Sequence, residues 1–383
     1  MAWLALGLPL AAAGGPVRIA CVGDSLTWGG FVEPRDVLSY PARLQELLGD
    51  RAVVANFGHG GRALLSRADH PFARERAMED ALAFAPDLVL LMLGTNDTKP
   101  PNWRHAVDFR DDALALVERF RSLPSRPRVC VLLPPPIFRP AYELDGRTLR
   151  YRVLPAWCAA AADAVCPVVD LHTPFLDRPE RFPDAVHPDA AGYLAIAMLV
   201  HDALTGPDGP LTDREASADP WRPRPNVEAA LAGDDWLARH VALSAAARAV
   251  RPAVVVFGDA AADGRGPGAA SRHFGTAAMP LGIAGDGLVH IRWRLRRGAL
   301  DGGSPRLIVV SAGEDEAAAA PPAFAIAGLR VLLCELRARH PAATVRWWPW
   351  RRERVGDPAV RAAAAAAVEC GVEPLSVPTN AAT

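Results

Sequence analysis

Short apolar runs alternate with amphipathic stretches from Val17 to about Leu204. The runs Val17–Val22, Val53–Phe57, Leu88–Leu93, Val129–Leu133 and Pro167–Leu171 have the length and branched-apolar content of strands buried on both faces. Between them, the leucine spacing of Ser39–Leu48 and the apolar positions of Ala77–Ala83 and Val107–Phe120 each suit one helix face. Another helix is expected before Pro167, and a last one from near Asp189. Such alternation predicts an α/β domain, a parallel sheet with right-handed crossovers. In a flavodoxin-like three-layer arrangement the strand order is 2-1-3-4-5, and the crevice opens between the first and third strands.

The periodicity lapses between residues 205 and 226, where Pro, Gly, Asp and Arg accumulate around Trp221–Pro225. We read 16–204 as one domain, 205–226 as a linker and 227–383 as a second domain. A length of 383 residues, half of them hydrophobic, accommodates two cores. In the second domain, strand-like runs recur at Ala253–Phe257, Leu281–Gly285, Leu307–Gly313 and Thr344–Trp348. Residues 1–15 resemble the apolar core and small-residue cleavage site of a signal peptide, although no Lys or Arg leads them. A secreted or periplasmic location is therefore expected, with a cytoplasmic one as the alternative. No later stretch is apolar for long enough to span a bilayer, so no transmembrane segment is expected.

The net charge of -1 argues against nucleic acid as a partner. Six cysteines carry no Cys-x-x-Cys pair, which argues against zinc. Cys21 and Cys130 lie in strand-like runs and read as core residues. Cys158 and Cys166 could pair only if helix and strand geometry brought them together.

The polar residues of interest sit at the carboxyl ends of the strands, where open parallel sheets bind ligands. Ser25 ends the first run in Gly23-Asp24-Ser25, and Gly61 follows the second. Asn96 follows the third in Gly94-Thr95-Asn96-Asp97, and Asp184-x-x-His187 follows the fifth. A serine hydroxyl needs an adjacent base before it becomes a nucleophile. An imidazole, with an ordinary pKa of about 6.5, suits that task at neutral pH. Asp184 would orient His187 in the manner of a Ser-His-Asp triad. Attack on an ester carbonyl creates an oxyanion, for which the Ser25 and Gly61 N–H groups and the Asn96 amide are candidate donors. Each motif also has a plain structural reading: a turn at Ser25, turn formers at Asn96-Asp97, and Asp189 as a helix cap beside His187. Trp28 and Trp103 are either pocket walls or core rings. His59 and Arg62 are either substrate contacts or solvated loop residues. No cluster of metal-binding side chains appears beyond these residues, and no cofactor is implied.

Together, Gly23-Asp24-Ser25, Asn56-Phe57-Gly58-x-Gly60-Gly61, Gly94-x-Asn96-Asp97 and Asp184-x-x-His187 resemble the four motif blocks of the SGNH (GDSL-type) hydrolase superfamily, in order. The resemblance spans Val17 to about Leu204. It implies a serine ester hydrolase with Ser25, Asp184 and His187 as the triad and Ser25, Gly61 and Asn96 as the oxyanion hole. Pro100–Trp103 and Leu132–Pro136 are similar to members grouped with carbohydrate O-acetylesterases. The implied substrate is therefore a small-molecule or carbohydrate ester carrying acetate. The rival readings are a non-catalytic glycan-binding or adaptor protein and an acyltransferase.

The second domain looks like a degraded repeat of the first. Gly258-Asp259-Ala260 has the strand-to-turn shape of Gly23-Asp24-Ser25. The stretches Trp236–Gly258 and Trp293–Gly298 are similar to platelet-activating-factor acetylhydrolase catalytic subunits, a branch of the same superfamily. Ala260 stands where the nucleophile would be, and Asp315 where the oxyanion Asn would be. No Asp-x-x-His follows Trp348. A pseudo-hydrolase is expected, either packed on the first domain within the chain or binding a glycan or partner. Cys370 lacks a partner base and is not a replacement nucleophile.

Overall fold

The computed structural model describes residues 15–206, 209–211, 219, 221–259, 278–313, 321–348 and 358–375. The chain divides into two compact units, Met1–Ala218 with Ala230–Asp234, and Asp219–Ala229 with Asp235–Thr383. The expected roles of Ala260 and Asp315 and the leader-like residues 1–14 lie outside the described residues.

The first unit is an α/β fold around five strands: β1 Val17–Gly23, β2 Ala52–Gly58, β3 Leu88–Met92, β4 Arg128–Leu133 and β5 Val168–Asp170. They are parallel and ordered β2-β1-β3-β4-β5, the expected 2-1-3-4-5. Side chains alternate across a strand. Ala20, Val22, Val89, Leu91, Val129 and Val131 therefore share one face and join a single buried cluster with Met78, Phe109, Leu116, Phe120 and Trp157 of the helices Arg76–Ala83, Phe109–Arg121 and Leu154–Asp163. Ile19, Cys21, Leu88, Leu90 and Cys130 have the opposite parity and are equally buried. Withdrawing each of the Val, Leu, Ile, Phe and Met side chains from water contributes about 1.5–3 kcal/mol. Helix Tyr40–Leu48 packs on helix Ala190–Thr205. The latter is apolar along most of its length, and 11 of its 16 residues are buried.

The helix expected from Val107 begins at Phe109. Val107 lies in a tighter turn, Ala106–Asp108, and is 86% exposed, so no burial draws it into the helix. Asp111 and Asp112 then occupy the first helical turn, where carboxylates favour the positive end of the helix dipole. Register decides where the chemistry falls. Gly23 pairs with Gly58 on one side and Met92 on the other, so β1, β2 and β3 end level. The loops bearing Ser25, Gly61 and Asn96 leave the sheet from that common edge.

The second unit has its own parallel sheet: β6 Val254–Gly258, β7 Met279–Gly282, β8 Leu307–Ser311, β9 Thr344–Trp347 and β10 Glu373–Pro374. Its order, β7-β6-β8-β9-β10, is again 2-1-3-4-5. Phe257, Ile308, Val310, Leu332, Leu336 and Trp347 belong to its core. The strand exits repeat as well. His59 N–H donates to the Gly23 carbonyl at 2.9 Å, and Ile283 N–H to the Gly258 carbonyl at 3.2 Å. Cys334 and Cys370 form a disulfide, whereas Cys158 and Cys166 are free thiols. Among the described residues no helix is long and apolar enough to cross a membrane.

Candidate active site

Ser25 opens the short helix Ser25–Trp28, which follows β1 after the single residue Asp24. Its N–H therefore has no helical carbonyl four residues behind it. The Asp24 carboxylate accepts the Leu26 N–H at 2.9 Å and caps this turn. Asp24 is fully buried, and that burial pushes its carboxyl up to about 7, against the pull of the Leu26, Thr95 and Asn96 hydrogen bonds. The same turn brings Ser25 Oγ to 2.8 Å from His187 Nε2.

The Asp184–His187 turn supplies the other half. Asp184 Oδ1 accepts the N–H groups of Val186 and His187 at 3.0 and 2.7 Å, while Oδ2 lies 2.6 Å from His187 Nδ1. Ala185, at φ 75°, makes the bend that lets side chains three residues apart meet. Burial works against ionising Asp184, but the hydrogen bonds from the His187 ring and from the His187 and Val186 backbones outweigh it and hold the carboxyl below its ordinary range. A carboxylate only accepts, so Nδ1 carries the hydrogen of the neutral ring. Nε2 is then the acceptor, and the Ser25 hydroxyl donates to it. Asp189 also caps the following helix, accepting the Gly192 N–H at 2.8 Å. The cap and the catalytic geometry thus coexist in one short segment.

Room for the imidazole comes from Gly30. A Cβ on residue 30 would lie 2.7 Å from His187 Cδ2, and the Tyr193 hydroxyl holds this loop by donating to the Gly30 carbonyl at 2.9 Å.

The third group of residues surrounds Asn96. Its Nδ2 donates to the Arg62 carbonyl at 3.1 Å and lies 3.4 Å from Asp24 Oδ2. The first bond ties the β3 loop to the Gly61 loop. The second is long enough to be weak. Gly61 has φ +78°, a left-handed conformation that a side chain would strain, and nothing lies within 4 Å of where its Cβ would be. Asp97 anchors the same loop by accepting the Leu64 and Leu65 N–H groups at 2.9 and 2.8 Å. Its complete burial raises its carboxyl to about 6, in spite of those two bonds.

The remaining residues of interest divide. Trp28 is 41% exposed and lies beside Gly60, with the Arg35 guanidinium 3.8 Å from its ring centroid. Trp103 instead packs on the buried Phe109, centroids 5.6 Å apart, as part of the core. His59 and Arg62 are both turned onto Glu75, at 3.4 and 2.9 Å. Glu75 itself, Tyr142 and Asn102 escaped the sequence reading. The Tyr142 hydroxyl donates to Asp184 Oδ2 at 3.0 Å. Asn102 lies in the Pro100–Trp103 stretch, which marked it for attention without giving it a task. Among the described residues no group of His, Cys, Asp or Glu is arranged to hold a metal ion.

Residues 21–195 match the GDSL-like lipase/acylhydrolase family. An acetylxylan esterase of Xylanibacter ruminicola is 32% identical over 206 residues, 49% of this chain and 43% of its own length. This chain thus spans under half of that relative. Among solved structures, an arylesterase-like protein of Agrobacterium tumefaciens is 29% identical with a TM-score of 0.41, covering 49% of this chain and 99% of its own. A carbohydrate acetylesterase family member of Sinorhizobium meliloti is 27% identical with a TM-score of 0.40, covering 48% of this chain and 95% of its own.

Proposed function

Because the N-terminal domain is an SGNH hydrolase domain of the GDSL-like lipase/acylhydrolase family, we propose that it hydrolyses carboxylic esters through an acyl-enzyme on Ser25. The observation that carries the reading is the hydrogen-bonded chain from Ser25 Oγ through His187 to Asp184, at 2.8 and 2.6 Å.

His187 Nε2 takes the hydroxyl proton as Ser25 Oγ bonds to the ester carbonyl carbon. Asp184 stabilises the imidazolium that forms. The carbonyl oxygen becomes an oxyanion, received by the Ser25 and Gly61 N–H groups and by the Asn96 Nδ2 hydrogen that is only loosely held by Asp24. Collapse of this intermediate breaks the bond to the alcohol, which leaves with the proton from His187. Water then enters, gives its proton to His187 and attacks the acyl carbon. Ser25 departs with that proton, and the carboxylic acid is released.

The acyl group in this reading is acetate and the alcohol is a carbohydrate. The acetylxylan esterase relative and the Pro100–Trp103 stretch support it. Trp28, exposed one helical turn after the nucleophile, offers a ring face of the kind sugars stack on. The Cys334–Cys370 disulfide supports an oxidising compartment, outside the cytoplasm. Rates on acetyl, butyryl and octanoyl esters of one alcohol, and acetate release from acetylated xylan, test the substrate. Acetyl esters should be cleaved at least about tenfold faster than octanoyl esters. A preference for the long chain, with no acetate released from xylan, would contradict the assignment.

A further inference from the structure

The loop after β4 passes close to the proposed triad, and one residue in it touches two members. Ile137 and Leu144 are buried in the core, and Phe138 N–H donates to the Ala185 carbonyl at 3.0 Å. The Phe138 ring also packs on Phe182, centroids 5.0 Å apart. Between these anchors Ala141 and Leu144 form an antiparallel bridge, and the Leu144 N–H returns to the Ala141 carbonyl at 2.8 Å. The two residues at the tip, Tyr142 and Glu143, have φ of 53° and 63°. Left-handed values at both central positions define a tight turn normally given to Asn and Gly. Here a bulky aromatic residue occupies the first of them.

That turn aims Tyr142 at the triad. Its hydroxyl donates to Asp184 Oδ2, the same oxygen that receives His187 Nδ1. Its ring meets the His187 ring edge-on, with centroids 5.8 Å apart and planes at 64°. The residue is nevertheless 59% exposed, so its outer face is open to solvent. The carboxylate is thus held from two sides: by the backbone of its own turn, and by a hydroxyl delivered from 42 positions earlier in the chain.

We propose that Tyr142 is a positioning residue for the Ser25–His187–Asp184 triad, and that its exposed ring forms the wall that the substrate meets beside His187. The proposal rests on the ester-hydrolase reading. The hydroxyl fixes which way the carboxylate presents Oδ2 to the imidazole. The ring restricts the movement of the imidazole on its solvent side and narrows the approach to Ser25. Removing the hydroxyl therefore affects turnover, whereas removing the ring affects substrate binding as well. Asp184 also leaves a mark on Tyr142: the hydrogen bond to the carboxylate, and then its charge, hold the phenol proton above the ordinary tyrosine range.

The test compares wild type, Tyr142→Phe, Tyr142→Ala and Ser25→Ala in the full chain, with p-nitrophenyl acetate and acetylated xylo-oligosaccharides. Tyr142→Phe should lower kcat about 3- to 10-fold at unchanged KM, the scale of one hydrogen bond. Tyr142→Ala should match that loss and raise KM as well. Both variants should melt close to wild type, because the side chain is largely exposed. Independently of turnover, NMR titration of the Tyr142 phenol should show late ionisation in Ser25→Ala and a return towards the ordinary value when Asp184→Asn is added. Unchanged kcat and KM in both Tyr142 variants, or a phenol titration indifferent to Asp184, would overturn the proposal. If Ser25→Ala were as active as wild type, the ester-hydrolase reading itself would fail, whatever the Tyr142 variants did.

Discussion

The Asn102 side-chain amide donates to the backbone carbonyl of Asn96 at 2.9 Å, and through this bond the Pro100–Trp103 stretch acts on the proposed oxyanion hole. The same Nδ2 donates to Asp69 Oδ1 at 2.8 Å, and Asn102 Oδ1 accepts the Asp69 N–H at 2.9 Å. Asn102 is 1% exposed, and its bond to the Asn96 carbonyl forms away from competing water. It joins the β3 loop to the loop after β2, as Asp97 does through Leu64 and Leu65.

Asn102→Ala should therefore lower kcat on p-nitrophenyl acetate by on the order of 10–10²-fold, because it frees Asn96 to shift from the oxyanion position. Circular dichroism should report an unchanged fold. An active variant with wild-type kinetics would show that Asn96 is held well enough without it.

A second prediction concerns pH and stability. Asp24 titrates at about 7 in the folded chain because it is buried, against an ordinary value of 3.8. Between those two values the folded chain binds the proton that the unfolded chain has released, so acidification stabilises the fold. The destabilisation is absent below about 4 and complete above about 7. Asp97, raised to about 6, acts in the same direction and repels Asp24. Asp24→Asn cannot ionise, so its melting temperature relative to wild type should rise between pH 5 and pH 8. A difference that stays constant across that range would contradict the raised titration.

The second unit yields a stability prediction of another kind. Arg294 and Asp286 form an ion pair at 2.9 Å in which both side chains are 0% exposed. Arg294 also donates to the Gly258 carbonyl at 3.3 Å, and Trp236 Nε1 to Asp286. Burial raises the Asp286 carboxyl even though Arg294 pulls it down, so desolvation outweighs the pair. Arg294→Met would leave that carboxyl without its cation and should cost about 3–5 kcal/mol in chemical denaturation. Adding Asp286→Leu should recover much of the loss. A single variant as stable as wild type would refute the account.

The sheet was legible because its strands are short apolar runs that end in glycine or polar turns. Ser25 and Asn96 stand in compact motifs at the ends of the neighbouring strands β1 and β3, so their approach follows from strand order, whereas His187 comes from the long loop after the edge strand β5 and only its Asp-x-x-His motif marked it. Tyr142 and Glu75 were not legible. Each reaches its partners across a distance that no local period records: Tyr142 meets Asp184 over 42 positions, and Glu75 meets Arg62 over 13. Trp103 shows the reverse difficulty, since an aromatic beside a motif reads equally well as pocket wall or core until Phe109 is seen against it. The helix expected from Val107 starts two residues later because the exposed Val107 belongs to the tighter Ala106–Asp108 turn, which apolar spacing does not distinguish from a helical turn.

Whether Ser25 is the nucleophile is decided by acetate release from p-nitrophenyl acetate and acetylated xylan, compared between wild type and Ser25→Ala. Wild type should turn over both substrates, and a folded Ser25→Ala protein should be slower by at least about 10⁴-fold, as expected when a triad loses its nucleophile. Equal rates in the two proteins, or no hydrolysis by folded wild type, would contradict that role for Ser25.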